Sequence, residues 1–276
     1  MKVKLADLHT HSYYSDGTMS PKEILKAALD NGVGLLSLTD HDVLEGTIEL
    51  QKLCSNYDIT YIPGIELDSL DQKDNIHILG YGIDLEDNNF RQFVQKNRAL
   101  LDSVNSMLIE KMQYDYDCIS YEEYNQYQYD RTKGGWKALH YLLDKGITKN
   151  LFQGFAYYTQ YGCSYACVDF PSVETVCHYI HKAGGKAVLA HPGVTYKEEN
   201  INLFKDKVMH LLDYGLDGIE CYYPKHREEV TKACLAICRE RDLLITTGSD
   251  CHGTFGNAAV GETKIPITQL YLKGLV

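Results

Sequence analysis

Short apolar runs alternate with amphipathic stretches in the first and last parts of the chain. The apolar runs have the length and residue types of buried strands, and they lie at positions 2–8, 35–39, 59–65, 77–83, 186–190, 218–223 and 243–247. The amphipathic stretches have apolar residues at helical spacing, and they lie at positions 21–31, 43–57, 172–182 and 227–241. Strands that alternate with helices predict an α/β fold with a parallel sheet and right-handed crossovers.

The first helix carries both a start and a stop signal. Ser20 and Glu23 have the spacing of a capping box, and Pro21 stands at the first helical position. Gly32 follows Asn31 and is expected to end the helix, because glycine readily adopts the left-handed conformation found after a helix.

The alternation stops between about residues 86 and 170. Positions 90–112 have the spacing of one long helix, and positions 136–145 have that of a shorter one. Between them, positions 114–130 are rich in Tyr and in acidic or amide residues. This segment is therefore predicted to be mostly helical.

We predict that this segment is an insertion, or cap, in a barrel domain. The barrel domain would consist of residues 1–85 and 171–276, and the insertion of residues 86–170. Its Tyr rings could stack on bases, but Tyr more often covers a small core with its hydroxyl in water. Trp136 is the best candidate for stacking.

Residues that bind metals follow several of the predicted strands. His9 and His11 end the first strand, and residues two apart in a strand point to the same side, so both imidazoles can face one ion. The other residues of this kind are Asp16, Asp40, His41, Glu66, His77, His191, Asp250 and His252. The carboxyl ends of strands converge on one face of a closed barrel, or at a switch point of an open sheet. Either arrangement would bring these side chains together.

This mixture of imidazoles and carboxylates favours zinc, manganese or iron over calcium. The set is too large for one ion, since an ion takes about three to five ligands. We therefore predict two to three divalent metal ions. A lone His after a strand usually has a packing or surface role, but so many at strand ends are not expected by chance.

The order of these motifs resembles the PHP (polymerase and histidinol phosphatase) superfamily. The matching stretches span nearly the whole chain outside the insertion, and they are His9-Thr10-His11 with Ser15-Asp16-Gly17, Thr39-Asp40-His41, Gly64-Ile65-Glu66, Ala190-His191-Pro192 and Gly248-Ser249-Asp250-Cys251-His252-Gly253. The resemblance implies a distorted (β/α)7 barrel with a site for two or three metal ions.

Within that superfamily the chain is most similar to the nucleoside 3′,5′-bisphosphate phosphatases and 5′-to-3′ exoribonucleases. Residues 76–81, residues 218–224 and the place of the insertion between His77 and His191 carry this similarity. It implies a metal-dependent phosphoesterase. The implied substrates are 3′,5′-bisphosphate nucleotides, AMP-like nucleotides or short RNA 5′ ends.

The resemblance also implies how the ligands divide among the ions. The ligands of the first ion would be His9, His11, Glu66 and Asp250. The second ion would share Glu66 as a bridge, and its other ligands would be His77 and His191. The ligands of the third ion would be Asp16, His41 and His252. Asp40 would lie behind the ligands or orient an imidazole through a hydrogen bond.

One departure from the branch concerns the substrate. Its members open the second half of the insertion with Gly-Arg-Pro-His, whose Arg meets a substrate phosphate, whereas this chain has Gly134-Gly135-Trp136-Lys137. Lys137, Lys133 or Arg131 would replace that Arg. Similarly, Lys225-His226 stands where the family often shows Ser-His. The predicted substrate contacts are Trp136, Lys137, Lys225 and His226.

The expected nucleophile is a hydroxide that bridges two ions, because metal binding lowers the pKa of water to roughly 7. It would attack phosphorus in line while the ions neutralise the phosphoryl and leaving oxygens. No other catalytic residue is required. Cys251 lies between two ligands, but strand alternation points it away from them, so we expect it to pack in the core.

Three other functions stay open from the sequence. One is a phosphatase for a small metabolite such as histidinol phosphate. Another is a metal-dependent amidohydrolase, a class that commonly uses a carboxylated Lys, although no Lys occupies such a strand end here. The third is a non-catalytic binding module, against which the complete ligand set argues.

The composition limits which partners, cellular location and cysteine chemistry are expected. The net charge of −11 argues against a broad basic groove for long nucleic acid, but bound cations would still allow a small anionic substrate. We find no apolar run long enough for a signal peptide or for a membrane span of ~20 residues, so a soluble cytoplasmic protein is expected. The nine Cys include no CxxC pair, so we expect neither a disulfide framework nor a zinc ribbon. The oligomeric state stays open.

Overall fold

The structure is a computed structural model that describes residues 4–197 and 199–275. The strands in these residues are β1 (Leu5–Asp7), β2 (Val33–Leu36), β3 (Thr60–Tyr61), β4 (Gly64–Asp71), β5 (Asp74–Tyr81), β6 (Lys186–Leu189), β7 (Gly218–Tyr222) and β8 (Leu244–Thr247). The α-helices are α1 (Pro21–Asp30), α2 (Glu45–Cys54), α3 (Asn88–Met112), α4 (Tyr121–Gln126), α5 (Lys137–Asp144), α6 (Phe155–Gln160), α7 (Val173–Lys182), α8 (Pro192–Thr195), α9 (Ile201–Leu212) and α10 (Glu228–Arg241). None of these helices is both long enough and apolar enough to cross a membrane.

The strands form two sheets, which differ from the parallel sheet that the sequence predicts. β1, β2 and β3 are parallel and lie in that order. The second sheet has the order β4-β5-β6-β7-β8, and in it β5 runs antiparallel to both β4 and β6. The remaining pairs of that sheet are parallel. The fold is a mixed α/β fold with one parallel and one mixed sheet.

The difference begins at Pro63, which separates β3 from β4 within the predicted strand at 59–65. Proline has no N–H to donate to a neighbouring strand. β4 then pairs with β5 across a tight turn, in which Gln72 has a φ of 55°. Glu66 and His77 therefore lie inside two paired strands, whereas the sequence placed Glu66 at a strand end.

Two isolated bridges join the sheets beside the predicted metal ligands. His41, which follows β2, pairs with Glu66 in β4. Thr10, which follows β1, pairs with Cys251, which follows β8. The ends of β1, β2 and β8 and the start of β4 thus meet at one place.

The apolar side chains form separate cores in the two parts of the chain. The largest core includes residues of the second sheet, of helices α7, α9 and α10, and the start of α3 with Phe90 and Phe93. From Leu101 onward, α3 packs in a different core with α4, α5 and Phe170. The buried members of this core all belong to the predicted insertion.

The local signals at the first helix are confirmed. Ser20 Oγ accepts from the N–H of Glu23 at 3.2 Å, and the Glu23 carboxylate accepts from the N–H of Ser20 at 2.8 Å. Gly32 follows the helix with a φ of 74°. The first predicted strand is shorter than expected, and its positions 2 and 3 lie outside the described residues.

Several cysteines pack in the cores, and Cys251 does so as the sequence predicts. Cys234 and Cys238 are buried in the core that covers α10, and Cys251 is buried in an apolar cluster with residues of α1 and α2. All nine Cys are free thiols.

Candidate metal centre

The first group of ligand atoms surrounds the end of β1. His9 and His11 are fully buried, and their Nε2 atoms lie 3.0 Å apart. Glu66 Oε2 lies 3.0 Å from the first of these nitrogens and 3.2 Å from the second. Asp250 Oδ1 lies 3.4 and 3.1 Å from the same two atoms. These four residues are those that the resemblance assigns to the first ion.

Glu66 presents its second oxygen to a different pair of imidazoles. Its Oε1 lies 3.1 Å from His77 Nδ1 and 3.1 Å from His191 Nε2. The two carboxylate oxygens thus face separate groups of ligands. A carboxylate in this position can bridge two ions.

A third group lies on the far side of His11. His252 stacks on the His11 ring with centroids 4.1 Å apart, and its Nε2 lies 3.2 Å from Asp16 Oδ2. His41 stacks on the same ring at 4.8 Å. Each of these four residues offers one ligand atom, and the four atoms lie within 4.8 Å of one another.

These spacings are those of atoms around metal ions. Bonds of ~2.0–2.2 Å place neighbouring ligand atoms about 3 to 3.5 Å apart, as most of the separations above are. In addition, the buried Nδ1 atom of His11, which lies 3.7 Å from Asp16 Oδ1, has no hydrogen-bond partner among the described residues. Buried polar atoms without a hydrogen-bond partner are rare in proteins, and an ion that binds there would explain one. The set of donors therefore fits divalent metal ions.

The same geometry shifts the pKa values of the ligands. Burial lowers the pKa of His11, but hydrogen bonds to Asp250 and Glu66 outweigh it and raise that pKa to about 10. Burial also acts against the charged form of His77, yet the charge of Glu66 helps to raise its pKa to about 9. For Glu66, burial raises the pKa, but the neighbouring imidazoles, His9 foremost, hold it well below its usual range. His11 and His77 therefore hold protons until an ion displaces them.

We expect metal binding to release protons and to strengthen as the pH rises from about 6 to 9. His11 and His77 are protonated at pH 7 in the metal-free chain, because their pKa values of about 10 and about 9 lie above it. An ion must displace these protons, so a higher pH favours the bound state. Calorimetric titration with Mn²⁺, in buffers of different protonation enthalpy, measures the number released. Binding without proton release, equally tight at both pH values, would contradict this expectation.

The backbone turns sharply at two of the ligands. His191 and Asp250 have φ values of 25° and 54°, a region that residues other than glycine rarely adopt. Such conformations persist where the surroundings hold them, and they are frequent at functional sites. Here Glu220 Oε2 accepts the backbone N–H of His191 at 2.9 Å.

Glu220 and Asp68 contact metal-ligand imidazoles, although the sequence analysis assigned neither a role. Glu220 is fully buried in β7, and its Oε1 lies 3.1 Å from His9 Nδ1. A carboxylate on the second ring nitrogen fixes the orientation and tautomer of a ligand. Both residues left a signal in the sequence. Glu220 is an acidic residue inside an apolar strand, and Asp68 stands two positions after Glu66, on the same face.

Asp40 lies behind the ligands, which is one of its two predicted roles, but it makes no hydrogen bond to an imidazole among the described residues. Its carboxylate accepts from the N–H of Ser12 at 2.7 Å, from Ser12 Oγ at 2.6 Å and from Ser15 Oγ at 2.6 Å. A Cβ at Gly46 would lie 2.1 Å from Asp40 Oδ2, so only glycine fits there. Asp40 therefore holds the loop that carries Asp16.

Trp136 lies at the centre, whereas Lys137 points away from it. The Trp136 ring is 5.8 Å from the His41 ring, in an edge-on arrangement. Lys137 Nζ lies 4.5 Å from the centre of the Tyr124 ring and donates to the Asn125 carbonyl at 3.3 Å. Lys137 thus faces the interior of the insertion.

His226 is not placed for the substrate contact predicted from the sequence, whereas the contact of Lys225 stays a prediction. Lys225 is exposed in the turn after β7. His226 Nε2 accepts from the N–H of Gly193 at 3.1 Å, and its Nδ1 donates to the Cys221 carbonyl at 3.2 Å. Burial lowers the pKa of His226, which favours the neutral ring that this pairing requires. Neither nitrogen is left for a phosphate.

A basic residue that the sequence analysis missed lies beside Trp136. The Arg98 guanidinium in α3 is 5.3 Å from the centre of the Trp136 ring and 3.4 Å from the His41 carbonyl. Arg98, Arg131 and Lys137 line one cavity of about 190 Å³ in which Trp136 forms part of the wall. Three cationic side chains and Asp102 therefore line a cavity within the predicted insertion, and its wall contacts one proposed ligand, His41.

Six imidazoles and three carboxylates meet where the two sheets join, and a basic cavity lies next to them. A mixed α/β fold with such a centre defines a class, the metal-dependent hydrolases. The chain belongs to the PHP family, because the PHP domain model matches residues 7–185.

Relatives that match almost the full chain have related names. The chain is 27% identical over 269 residues to a 5′-3′ exoribonuclease of Haemophilus influenzae, and the match covers 94% of each chain. It is 26% identical over 274 residues to a phosphoribosyl 1,2-cyclic phosphate 1,2-diphosphodiesterase of Eggerthella lenta, covering 95% of this chain and 99% of the relative. It is 27% identical over 274 residues to a 3′,5′-nucleoside bisphosphate phosphatase of Chromobacterium violaceum, covering 94% and 91%.

Two solved structures share the fold. A metal-dependent phosphoesterase from Bifidobacterium adolescentis matches with a TM-score of 0.76 and 24% identity, covering 94% of this chain and 91% of the other. An amidohydrolase from Chromobacterium violaceum matches with a TM-score of 0.75 and 24% identity, covering 96% and 94%. Family membership and the full-length relatives together make this chain a hydrolase of phosphate esters that depends on divalent metal.

Proposed function

We propose that the chain hydrolyses phosphate esters of nucleotides, which are 3′,5′-bisphosphate nucleotides, AMP-like nucleotides or short RNA 5′ ends. The observation that carries this proposal is the cavity lined by three cations, Arg98, Arg131 and Lys137. Two residues of its wall, Arg98 and Trp136, contact His41. Cations and an aromatic ring beside a metal centre suit a substrate with a flat base and a phosphate away from the reacting bond. The names of two relatives, the exoribonuclease and the nucleoside bisphosphate phosphatase, support the same substrate class.

We propose that the centre holds two to three divalent ions of manganese, iron or zinc. Three overlapping groups of ligands support this number, and Glu66 belongs to two of them. When bound, such ions supply Lewis acidity and an activated water for phosphate-ester hydrolysis. The nine proposed ligands are His9, His11, Asp16, His41, Glu66, His77, His191, Asp250 and His252.

The residues around the ligands have tasks of their own in this proposal. Tyr223 Oη donates to Asp250 Oδ2 at 2.7 Å, which leaves Oδ1 turned toward His9 and His11. Trp136 covers the edge of His41 and keeps water from that side. Arg98 binds a substrate phosphate that does not react.

We also propose a two-part architecture around this centre. The bridges from His41 to Glu66 and from Thr10 to Cys251 support closure of a distorted (β/α)7 barrel from residues 1–85 and 171–276. The separate core of the helices between them supports residues 86–170 as a cap. The net charge of −11 favours a small phosphorylated substrate over long nucleic acid.

Elemental analysis of metal-replete protein is expected to give two to three divalent ions per chain, because the ligand groups number three. The activity is expected with adenosine 3′,5′-bisphosphate, AMP or a 5′-phosphorylated short RNA, measured as phosphate or nucleotide released with Mn²⁺ present. One ion or none per chain would contradict the proposed centre.

Two further substrates in the same assay separate the alternatives. Faster release of phosphate from histidinol phosphate than from any nucleotide would point to a small-metabolite phosphatase. Faster cleavage of a dipeptide would point to an amidohydrolase. Full metal occupancy without turnover of any substrate would point to a binding module.

A further inference from the structure

Asp68 is a fully buried carboxylate that no ligand group includes. It lies in β4, two positions after Glu66, and strand alternation places both side chains on the same face. Its Oδ1 has no hydrogen-bond partner among the described residues. A fully buried carboxylate oxygen without a hydrogen-bond partner destabilises the fold, so such oxygens are rare unless they have a functional role.

Two imidazoles face that oxygen. Asp68 Oδ1 lies 3.3 Å from His41 Nδ1 and 3.4 Å from His77 Nε2. The opposite nitrogen of each ring faces Glu66, since His41 Nε2 lies 3.3 Å from Oε2 and His77 Nδ1 lies 3.1 Å from Oε1. Each ring therefore stands between two carboxylates, with the Glu66 side belonging to the ligand groups.

The insertion holds the other oxygen of Asp68. Tyr165 Oη donates to Asp68 Oδ2 at 2.9 Å, and the Tyr165 ring is nearly parallel to the His77 ring at 6.3 Å. The backbone is held as well, because the N–H of Asp68 donates to Asp42 Oδ1 at 3.3 Å. Asp68 is thus fixed from the side away from the ligands.

We propose that Asp68, held by Tyr165, is a positioning residue that orients His41 and His77 for metal binding. In this proposal the nitrogen of each ring that does not bind metal donates its N–H to Oδ1, which has no other hydrogen-bond partner among the described residues, so one carboxylate sets two tautomers. Tyr165 belongs to the insertion, so the same pair joins the insertion to the metal ligands. This inference rests on the metal ions of the proposed function.

The test compares Asp68→Asn and Tyr165→Phe with the parent chain and with Asp71→Asn. Asp71 makes a matched control, because it lies on the same strand and its nearest ionic partner is His210, outside the ligand groups. Chelator competition measures Mn²⁺ affinity step by step. The absorption spectrum of the Co²⁺-loaded chain reports ligand geometry, which a purely structural role would not change.

We expect Asp68→Asn to bind the full number of ions at saturation, with affinity at one or two steps weakened by about 10- to 100-fold and with an altered Co²⁺ spectrum. Unchanged affinity and spectrum would overturn the inference. An ion missing at saturation would overturn it too, because Asp68 would then be a ligand.

Tyr165→Phe keeps the Asp68 carboxylate and removes only its hydrogen bond from Tyr165. This variant tests the inference if Asp68→Asn does not fold. Weaker Mn²⁺ binding in this variant supports the inference, and binding equal to that of Asp71→Asn overturns it. A parent chain that binds no metal contradicts the proposed function itself. A parent chain that binds metal while both variants bind it equally well contradicts this inference alone.

Discussion

We expect Glu66→Gln to lower kcat for phosphate-ester hydrolysis by about 10⁴-fold, which corresponds to roughly 5 kcal/mol in the activation free energy. The reason is the position of the carboxylate, whose two oxygens lie about 3 Å from ligand nitrogens in separate groups. An amide cannot bridge two ions through two negative oxygens. The variant should also hold fewer ions per chain, as measured by elemental analysis beside initial rates.

Glu110→Gln is the matched control for this variant. It makes the same chemical change at an exposed position of α3. Circular dichroism of both variants without metal shows whether the fold is kept. Metal content and kcat in Glu66→Gln within a few-fold of the control would remove Glu66 from the centre.

The gathering of these nine side chains could be predicted because its signal is local. His9 and His11 stand two apart at the end of a strand, and Asp250 and His252 repeat the pattern at the last one. Such spacing fixes which side chains share a face without any knowledge of the sheet. The structure brings all nine predicted ligands together, even though the sheet differs from the predicted one.

The sheet itself could not be predicted in the same way. β4 and β5 have the apolar content of buried strands, which does not distinguish parallel from antiparallel partners. The turn between them is Gln72-Lys73, and it lacks the Asn-Gly or Asp-Gly pair that marks a two-residue hairpin. Pro63 was the one residue in the apolar run at 59–65 that could have indicated two strands in place of one.

The residues that contact the proposed ligands on the side away from the ions could not be predicted, because packing between distant segments sets their positions. Glu220 meets His9 across 211 positions of sequence, and no periodicity relates them. Arg98 reaches Trp136 only because the long helix α3 passes from the largest core into the insertion. From the sequence, the phosphate contact was expected at Lys137, Lys133 or Arg131, because these basic residues lie nearest to the position of the Arg that the branch usually has.

Arg98 is therefore the residue whose loss should most affect substrate choice. Arg98→Ala should raise KM for adenosine 3′,5′-bisphosphate by about 100-fold, since a charge-assisted contact contributes ~1.5–3 kcal/mol. KM for an aryl phosphate, which has no second phosphate, should change by less than about threefold. The two substrates separate phosphate binding in the cavity from damage to the metal centre.

Variants of nearby residues show whether the guanidinium itself matters. Arg98→Lys keeps the charge but not the fork that binds two phosphate oxygens, so it should recover only part of the loss. Lys96→Ala, at an exposed position of the same helix, should have no effect. Arg98 also pairs with Asp102 at 3.3 Å, so the melting temperature of each variant must be measured. A similar rise in KM for both substrates would show that Arg98 supports His41 and Trp136 and does not bind phosphate.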